Sequence, residues 1–234
     1  MIKKKLRIFA ADFANFFGGL GMRLVWLPKI HYQKGAENVR KPNGGALFIF
    51  NHTWWVDAPL LCVLCIRRRI SVITMREMFT GIRRVAMRGL RCIPVDRSIA
   101  DLGCMRESLQ ILRGHGCVGI APEGKLNPSP ELQTFKPGAA LLALQADVPV
   151  IPVYIAGNYQ PFQRLQIMFG RPIVLQQRPT SSGVQAATEQ LQAAMQQCED
   201  ELYAKIDPKY RNRVEEFQKR FHARRRKKLK GEMP

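Results

Sequence analysis

The chain has 234 residues, 46% of them hydrophobic, enough for one sizeable core and a single domain. Lys and Arg number 37 against 18 Asp and Glu, so the formal net charge is +19, which suits a polyanion: nucleic acid, anionic lipid headgroups or a phosphorylated substrate. Six cysteines without the spacing of a disulfide framework or a zinc ribbon argue against a disulfide-stapled secreted scaffold and a structural metal site.

Lys3, Lys4, Lys5 and Arg7 precede an apolar run from Ile8 to Leu27. Asp12, Arg23 and the glycines at 18, 19 and 21 weaken it as a membrane span, and no small-residue cleavage site follows as a signal peptide requires. Residues 1–33 therefore read as a membrane-associating segment in the interface, with lysines toward anionic headgroups and aromatic side chains in the acyl boundary. A helix packed on the chain's own core is the alternative. Lys34 to Gly45 reads as a connector.

Ala46 to Phe50 is a short apolar run that reads as a buried strand, and Trp54 to Ile66 reads as a helix. Between them stands Asn51-His52-Thr53-Trp54-Trp55-Val56-Asp57. On a continuous helix five positions span about 500°, leaving His52 and Asp57 about 140° apart. Contact therefore requires His52 in the turn ahead of the helix and Asp57 in its first turn. There the carboxylate fixes the imidazole tautomer and leaves the other ring nitrogen free as a base. Taken alone, the pair reads equally as a helix cap.

Arg67-Arg68-Arg69 closes that helix with cations that suit its C-terminus. Cys62 and Cys65 lie inside its apolar run and read as core packing. Ser71 to Met75 reads as a strand, Phe79 to Gly89 as a short basic amphipathic helix, and Cys92 to Val95 as a strand ending in Asp96-Arg97-Ser98. Arg97 is a candidate anion ligand, since a guanidinium grips phosphate oxygens in pairs. A surface ion pair with Asp96 or Asp101 is the competing reading.

After a helix from about Ile99 to Arg113, the strand Cys117 to Ala121 runs into Pro122-Glu123-Gly124. That places Glu123 beside a tight turn at a sheet's carboxyl edge, where ligands bind in open α/β folds. Lys125 and Lys136 flank the loop. Gly138 to Ala146 reads as a helix, Val148 to Ile155 as a strand, and Leu165 to Val174 as a strand pair or hairpin arm. Ser181 to Ile206 reads as a long amphipathic helix with a capping box at Ser182 to Gln185. From residue 208 the chain is strongly basic, notably Arg224 to Lys228, and reads as a solvated tail or a second contact for an anionic surface.

With these pieces placed, residues 46–174 resemble the lysophosphatidic acid and glycerolipid acyltransferase family. Its blocks match Asn51-His52 through Asp57, Cys92-Ile93-Pro94-Val95-Asp96-Arg97, Pro122-Glu123-Gly124 and Val148-Pro149-Val150-Ile151-Pro152 in order, with Phe135-Lys136-Pro137-Gly138 where the family carries Phe-Lys-x-Gly. The resemblance implies that His52 deprotonates a lipid hydroxyl, Asp57 orients His52, Arg97 holds the acceptor phosphate, and Asn51, Glu123 and Gly124 belong to the acceptor site. The donor is then acyl-CoA or acyl carrier protein, a substrate and not a cofactor. The third block departs from the family: Lys125-Leu126-Asn127 stands where Thr-Arg-Ser is usual. Leu126 replaces the arginine, leaving Lys125 or Lys136 to supply the cation.

The expected fold is α/β: one domain with a mostly parallel sheet flanked by helices over residues 34–207, between the N-terminal segment and a basic tail at 208–234. The expected function is acyl transfer to a lysophospholipid at the cytoplasmic face of a membrane, peripheral or monotopic, with anionic lipids as partners and no metal. The acceptor is 1-acylglycerol-3-phosphate or another lysolipid, and a non-catalytic adaptor on anionic membrane is the other reading. Nucleic acid is disfavoured because the aromatics sit in apolar segments and no reader motif is present.

Overall fold

The computed structural model describes residues 20–229 except 42, 82, 128–130, 158, 160 and 161, and excepting the side chains at 218 and 221–229. Residues 1–19 of the expected membrane-associating segment, and the side chains of the 224–228 cluster, lie outside what is described. Among the described residues no helix is long and apolar enough to cross a membrane.

The fold is built outward from β2 (Ala46–Phe50), five apolar residues that are all buried. Leu47 and Ile49 enter the core on one face of the sheet while Phe48 and Phe50 enter the core on the other, the alternation of a strand covered on both sides. Around it stand β1 (Lys29–Tyr32), β3 (Ser71–Met75), β4 (Ile93–Val95), β5 (Cys117–Ile120), β6 (Val150–Ala156) and β7 (Gln166–Phe169). Among the described residues they form one seven-stranded sheet in the order β1-β7-β6-β2-β5-β3-β4.

Strands β2 to β6 are mutually parallel, β7 is antiparallel to β6, and β1 runs parallel to β7. The expected mostly parallel α/β sheet is what the chain forms. One face is covered by α3 (Leu102–Arg113), α4 (Gly138–Ala146) and α5 (Ser181–Lys205) through Cys104, Leu142 and Leu191, and the other by α1 (Asp57–Leu64) through Leu60 and Leu61. Between β3 and β4 lies a short helix, α2 (Arg83–Gly89), and α6 (Pro208–Leu229) ends the described chain.

Three boundaries differ from the sequence reading. Lys29–Tyr32 is a sheet strand, so the folded unit begins before residue 34. Its alternation, with Ile30 and Tyr32 packed on the core, is four residues long and follows directly on a longer apolar run. Residues 208–229 form a helix and not a solvated tail: Val214 is fully buried, Phe217 packs on the core, and Tyr210 donates to the Arg164 carbonyl. Tyr210, Val214 and Phe217 stand at i, i+4 and i+7, one face of a helix, hidden in sequence by the surrounding charge. The cap of α5 is Thr180, whose hydroxyl accepts from Gly183 N at 3.2 Å, rather than Ser182.

Candidate active site

Because β2, β5 and β4 run parallel, the residues that follow them emerge at one edge of the sheet. His52 follows β2, Glu123 and Gly124 follow β5, and Arg97 follows β4. The chain leaves β2 toward β3 and later returns to place β6 on its other side, which makes this edge a topological switch point. A cavity of about 1660 Å³ opens there, lined by His52, Arg97, Gly124, Lys125 and Lys136 among mostly apolar side chains.

His52 precedes α1 and Asp57 is its first residue, as the spacing requires. Asp57 has no exposed surface. Its Oδ2 accepts from Thr53 N at 2.8 Å, Trp54 N at 2.7 Å and His52 Nδ1 at 3.2 Å, and its Oδ1 accepts from the Tyr159 hydroxyl. A carboxylate only accepts, so the bond between His52 Nδ1 and Oδ2 calls for the ring proton on Nδ1. Nε2, on a ring that lines the cavity, is then the basic nitrogen. The helix-cap reading does not hold: Val56 stands at the N-cap of α1 without a side-chain bond, and Asp57 instead ties down two backbone N–H groups of the turn ahead of the helix.

Tyr159 has no signature in the sequence. It is fully engaged, its hydroxyl also 2.8 Å from Thr53 Oγ1 and its ring edge-on to Trp54 at 5.1 Å. Burial, and then the Asp57 charge, push its phenol far above the ordinary range, so the hydroxyl keeps its proton, donates it to Asp57 and accepts from Thr53 Oγ1. Its one mark is indirect: a buried Asp57 leaves a second oxygen in need of a donor.

Two expected substrate contacts turn out to be braces. Asn51 is buried, donating from Nδ2 to Ile155 O at 3.0 Å and accepting at Oδ1 from Ile155 N at 2.8 Å, which extends the β2–β6 pairing past its last strand residue. Glu123 is 2% exposed and takes no part in the cavity wall. Its two oxygens lie 3.4 Å from His52 N and Gln133 N, with the Asn127 side chain facing it. Asn127 N donates to His52 O at 2.6 Å. Glu123 and Asn127 thus hold the histidine turn from both sides of its backbone, and burial pushes the Glu123 carboxyl up to about 7.

The cations do reach the cavity. Gly124 has φ +71, and a Cβ there would stand 2.8 Å from Cδ and Cε of Lys136; the missing side chain lets Lys136 lie across the turn. Asp101 is engaged by Arg76 at 2.9 Å and caps α3, while Asp96 binds Ser98, so neither acid neutralises Arg97. Lys219 of α6 also lines the cavity, a contact hidden in the basic tail. Leu126 lines it too, at the position the resembled family fills with arginine. Cys65 is buried, Cys62 partly so, and burial pushes both thiols up, Cys65 to about 12, consistent with packing roles. Among the described residues no group of three or more His, Cys, Asp and Glu side chains is placed to hold a metal ion.

A buried aspartate paired with a partly exposed histidine, set at the carboxyl edge of a parallel sheet beside an apolar, cation-bearing cavity, is an arrangement suited to acid-base chemistry. Residues 31–156 match the family described as Acyltransferase, more than half of the chain, and the chain belongs to that family. Among curated proteins it is 24% identical over 128 residues to the chloroplastic 1-acyl-sn-glycerol-3-phosphate acyltransferase LPAT1 of Arabidopsis thaliana, covering 53% of this chain and 35% of that protein. It is 25% identical over 156 residues to the 1-acyl-sn-glycerol-3-phosphate acyltransferase of Limnanthes alba, covering 65% of this chain and 53% of that one. The chain thus spans about a third to a half of the length of these relatives. The crystal structure of the 1-acyl-sn-glycerophosphate acyltransferase PlsC from Thermotoga maritima shares the fold, with a TM-score of 0.61 and 19% identity over 85% of this chain and 82% of that one.

Proposed function

We propose that this protein is an O-acyltransferase that moves a fatty acyl group from a thioester, on coenzyme A or acyl carrier protein, to the hydroxyl of a lysophospholipid. The first acceptor is 1-acylglycerol-3-phosphate and the product phosphatidic acid. His52 Nε2 takes the hydroxyl proton, the oxygen attacks the thioester carbonyl, and the tetrahedral intermediate collapses by expelling the thiolate, which recovers the proton from the imidazolium. Asp57 holds the imidazole and balances its positive charge. Holding two substrates in line supplies much of the rate, and a positioned base about 100- to 10,000-fold.

The observation that carries this reading is the placement of His52, fixed from behind by Asp57, in a cavity that combines apolar walls with Arg97, Lys125, Lys136 and Lys219. An acyl chain and a phosphate both find complementary surroundings there. Asn51 and Glu123 act as positioning residues behind the His52 turn. The reaction takes place at the cytoplasmic face of a membrane, where anionic lipids meet the basic chain. Leu126 in the cavity wall extends the acceptor range to other lysolipids.

Incubating the purified protein with acyl-CoA and acyl carrier protein donors against a panel of lysolipids, with products read by mass, tests donor and acceptor together. Phosphatidic acid from 1-acylglycerol-3-phosphate is expected. Vesicle binding without thioester consumption across the panel would point to the adaptor reading.

A further inference from the structure

The excursion between β3 and β4 is built for a surface the protein does not itself supply. From residue 76 to residue 92 no described residue is buried. A helix of seven residues is marginal in water without packing, yet α2 exposes Val85 at 70% beside Arg84 and Arg88. Its other side is not idle, since Met87, and Leu90 just past its end, line the cavity. Three more large apolar side chains, Trp55 at 61%, Ile99 at 64% and Leu102 at 74% exposure, line the cavity as well. Side chains that belong to a cavity wall and are also this exposed stand at its mouth.

Between Arg76 and Leu102 there are six arginines and three carboxylates. Arg76 is taken by Asp101, and Asp96 by Ser98. Among the described residues Arg84 and Arg88 make no salt bridge.

We infer that this rim, α2 together with Trp55, Ile99 and Leu102, is a docking surface for an anionic lipid bilayer. It rests on the acyltransferase reading and extends it: the apolar rim enters the acyl boundary, the arginines meet anionic headgroups, and the cavity opens directly onto the lipid that supplies the acceptor and receives the product. Four large exposed apolar side chains fit a bilayer better than the acidic face of a carrier protein. The residues of this rim fall between positions 55 and 102, apart in sequence from both the 1–19 segment and the 224–228 cluster.

The test is a triple variant, Arg84→Glu, Val85→Glu and Arg88→Glu, none of which lines the cavity. Flotation with vesicles of phosphatidylcholine and phosphatidylglycerol reads the surface without catalysis. Acyl transfer is then measured on 1-acylglycerol-3-phosphate held in those vesicles and on a short-chain analogue dissolved as monomer, each with acyl-CoA and with acyl carrier protein as donor. Expected are vesicle binding and vesicle-presented turnover lower by about tenfold or more, with turnover of the monomeric acceptor and the melting temperature unchanged. Retained vesicle binding overturns the inference. So does an equal loss on the monomeric acceptor, or a loss confined to acyl carrier protein as donor. Absence of transfer by the wild-type protein counts against the enzymatic reading alone, because flotation still decides the surface.

Discussion

The Tyr159 hydroxyl donates to Oδ1 of Asp57, the carboxylate whose Oδ2 holds the imidazole of His52. The two residues are 102 positions apart, and their bond joins the turn after β2 to the segment after β6. Asp57 therefore has its orientation fixed at both oxygens, and the tautomer of His52 is settled before a substrate arrives.

Tyr159→Phe removes one donor from a buried carboxylate and is expected to cost about 1.5–3 kcal/mol of stability, as a hydrogen bond to a charged group does. With Asp57 held at one oxygen fewer, the imidazole is less firmly placed, so kcat is expected to fall while KM stays unchanged. An unchanged kcat in a folded variant would leave Tyr159 a packing residue.

Glu123 is ionised less readily in the fold than its ordinary value of 4.5 allows, because burial pushes it to about 7. The native state then holds a proton that the unfolded state has released. Stability falls as pH rises from about 4.5 to about 7 and is level above that, an effect on the order of 3 kcal/mol for one shift of this size. Glu123→Gln keeps the shape without the titration. Urea midpoints across that window are expected to fall more for wild type than for the variant, and parallel curves would contradict the burial argument.

Gly124→Ala forces a Cβ onto a left-handed backbone and against Lys136. A stability loss of about 1–2 kcal/mol is expected, with a higher KM for the phosphate-bearing acceptor as Lys136 is displaced. In the Lys136→Ala background the same change should leave KM where that variant already has it, since the displaced group is gone. Additive effects on KM would separate the two residues.

Arg97→Ala is expected to raise KM for a phosphorylated acceptor by about 10- to 100-fold, the range for charge-assisted hydrogen bonds, with a smaller effect on an acceptor lacking phosphate. Arg97→Lys should recover part of the loss only, because an ammonium is a point charge where the guanidinium is a planar fork. Steady-state kinetics on paired acceptors reads both.

Local pattern carried the sheet core and the His52–Asp57 geometry: apolar runs in β2, β5 and β6 separated by helical spacing, and a pair five residues apart that meets only across a strand-to-helix turn. What it could not carry is set by partners distant in sequence. Asn51 resembles a ligand contact in sequence because nothing near it shows that Ile155 takes both ends of its amide. Glu123 resembles a substrate-facing residue, yet its oxygens turn back to His52 and Gln133. Tyr159 and Lys219 come to the site from β6 onward and from α6, where a loop residue and one lysine among many bear no mark. The strand Lys29–Tyr32 and the buried face of α6 were masked by neighbours, an apolar run in one case and dense charge in the other.

The central claim, that His52 is the base which activates an acceptor hydroxyl, is tested most directly by His52→Ala with acyl-CoA and 1-acylglycerol-3-phosphate, products read by mass and folding by thermal melt. Loss of transfer by about 100- to 10,000-fold, with an unchanged melt and unchanged acceptor binding, is the expected result. Full-rate transfer by the folded variant would contradict it.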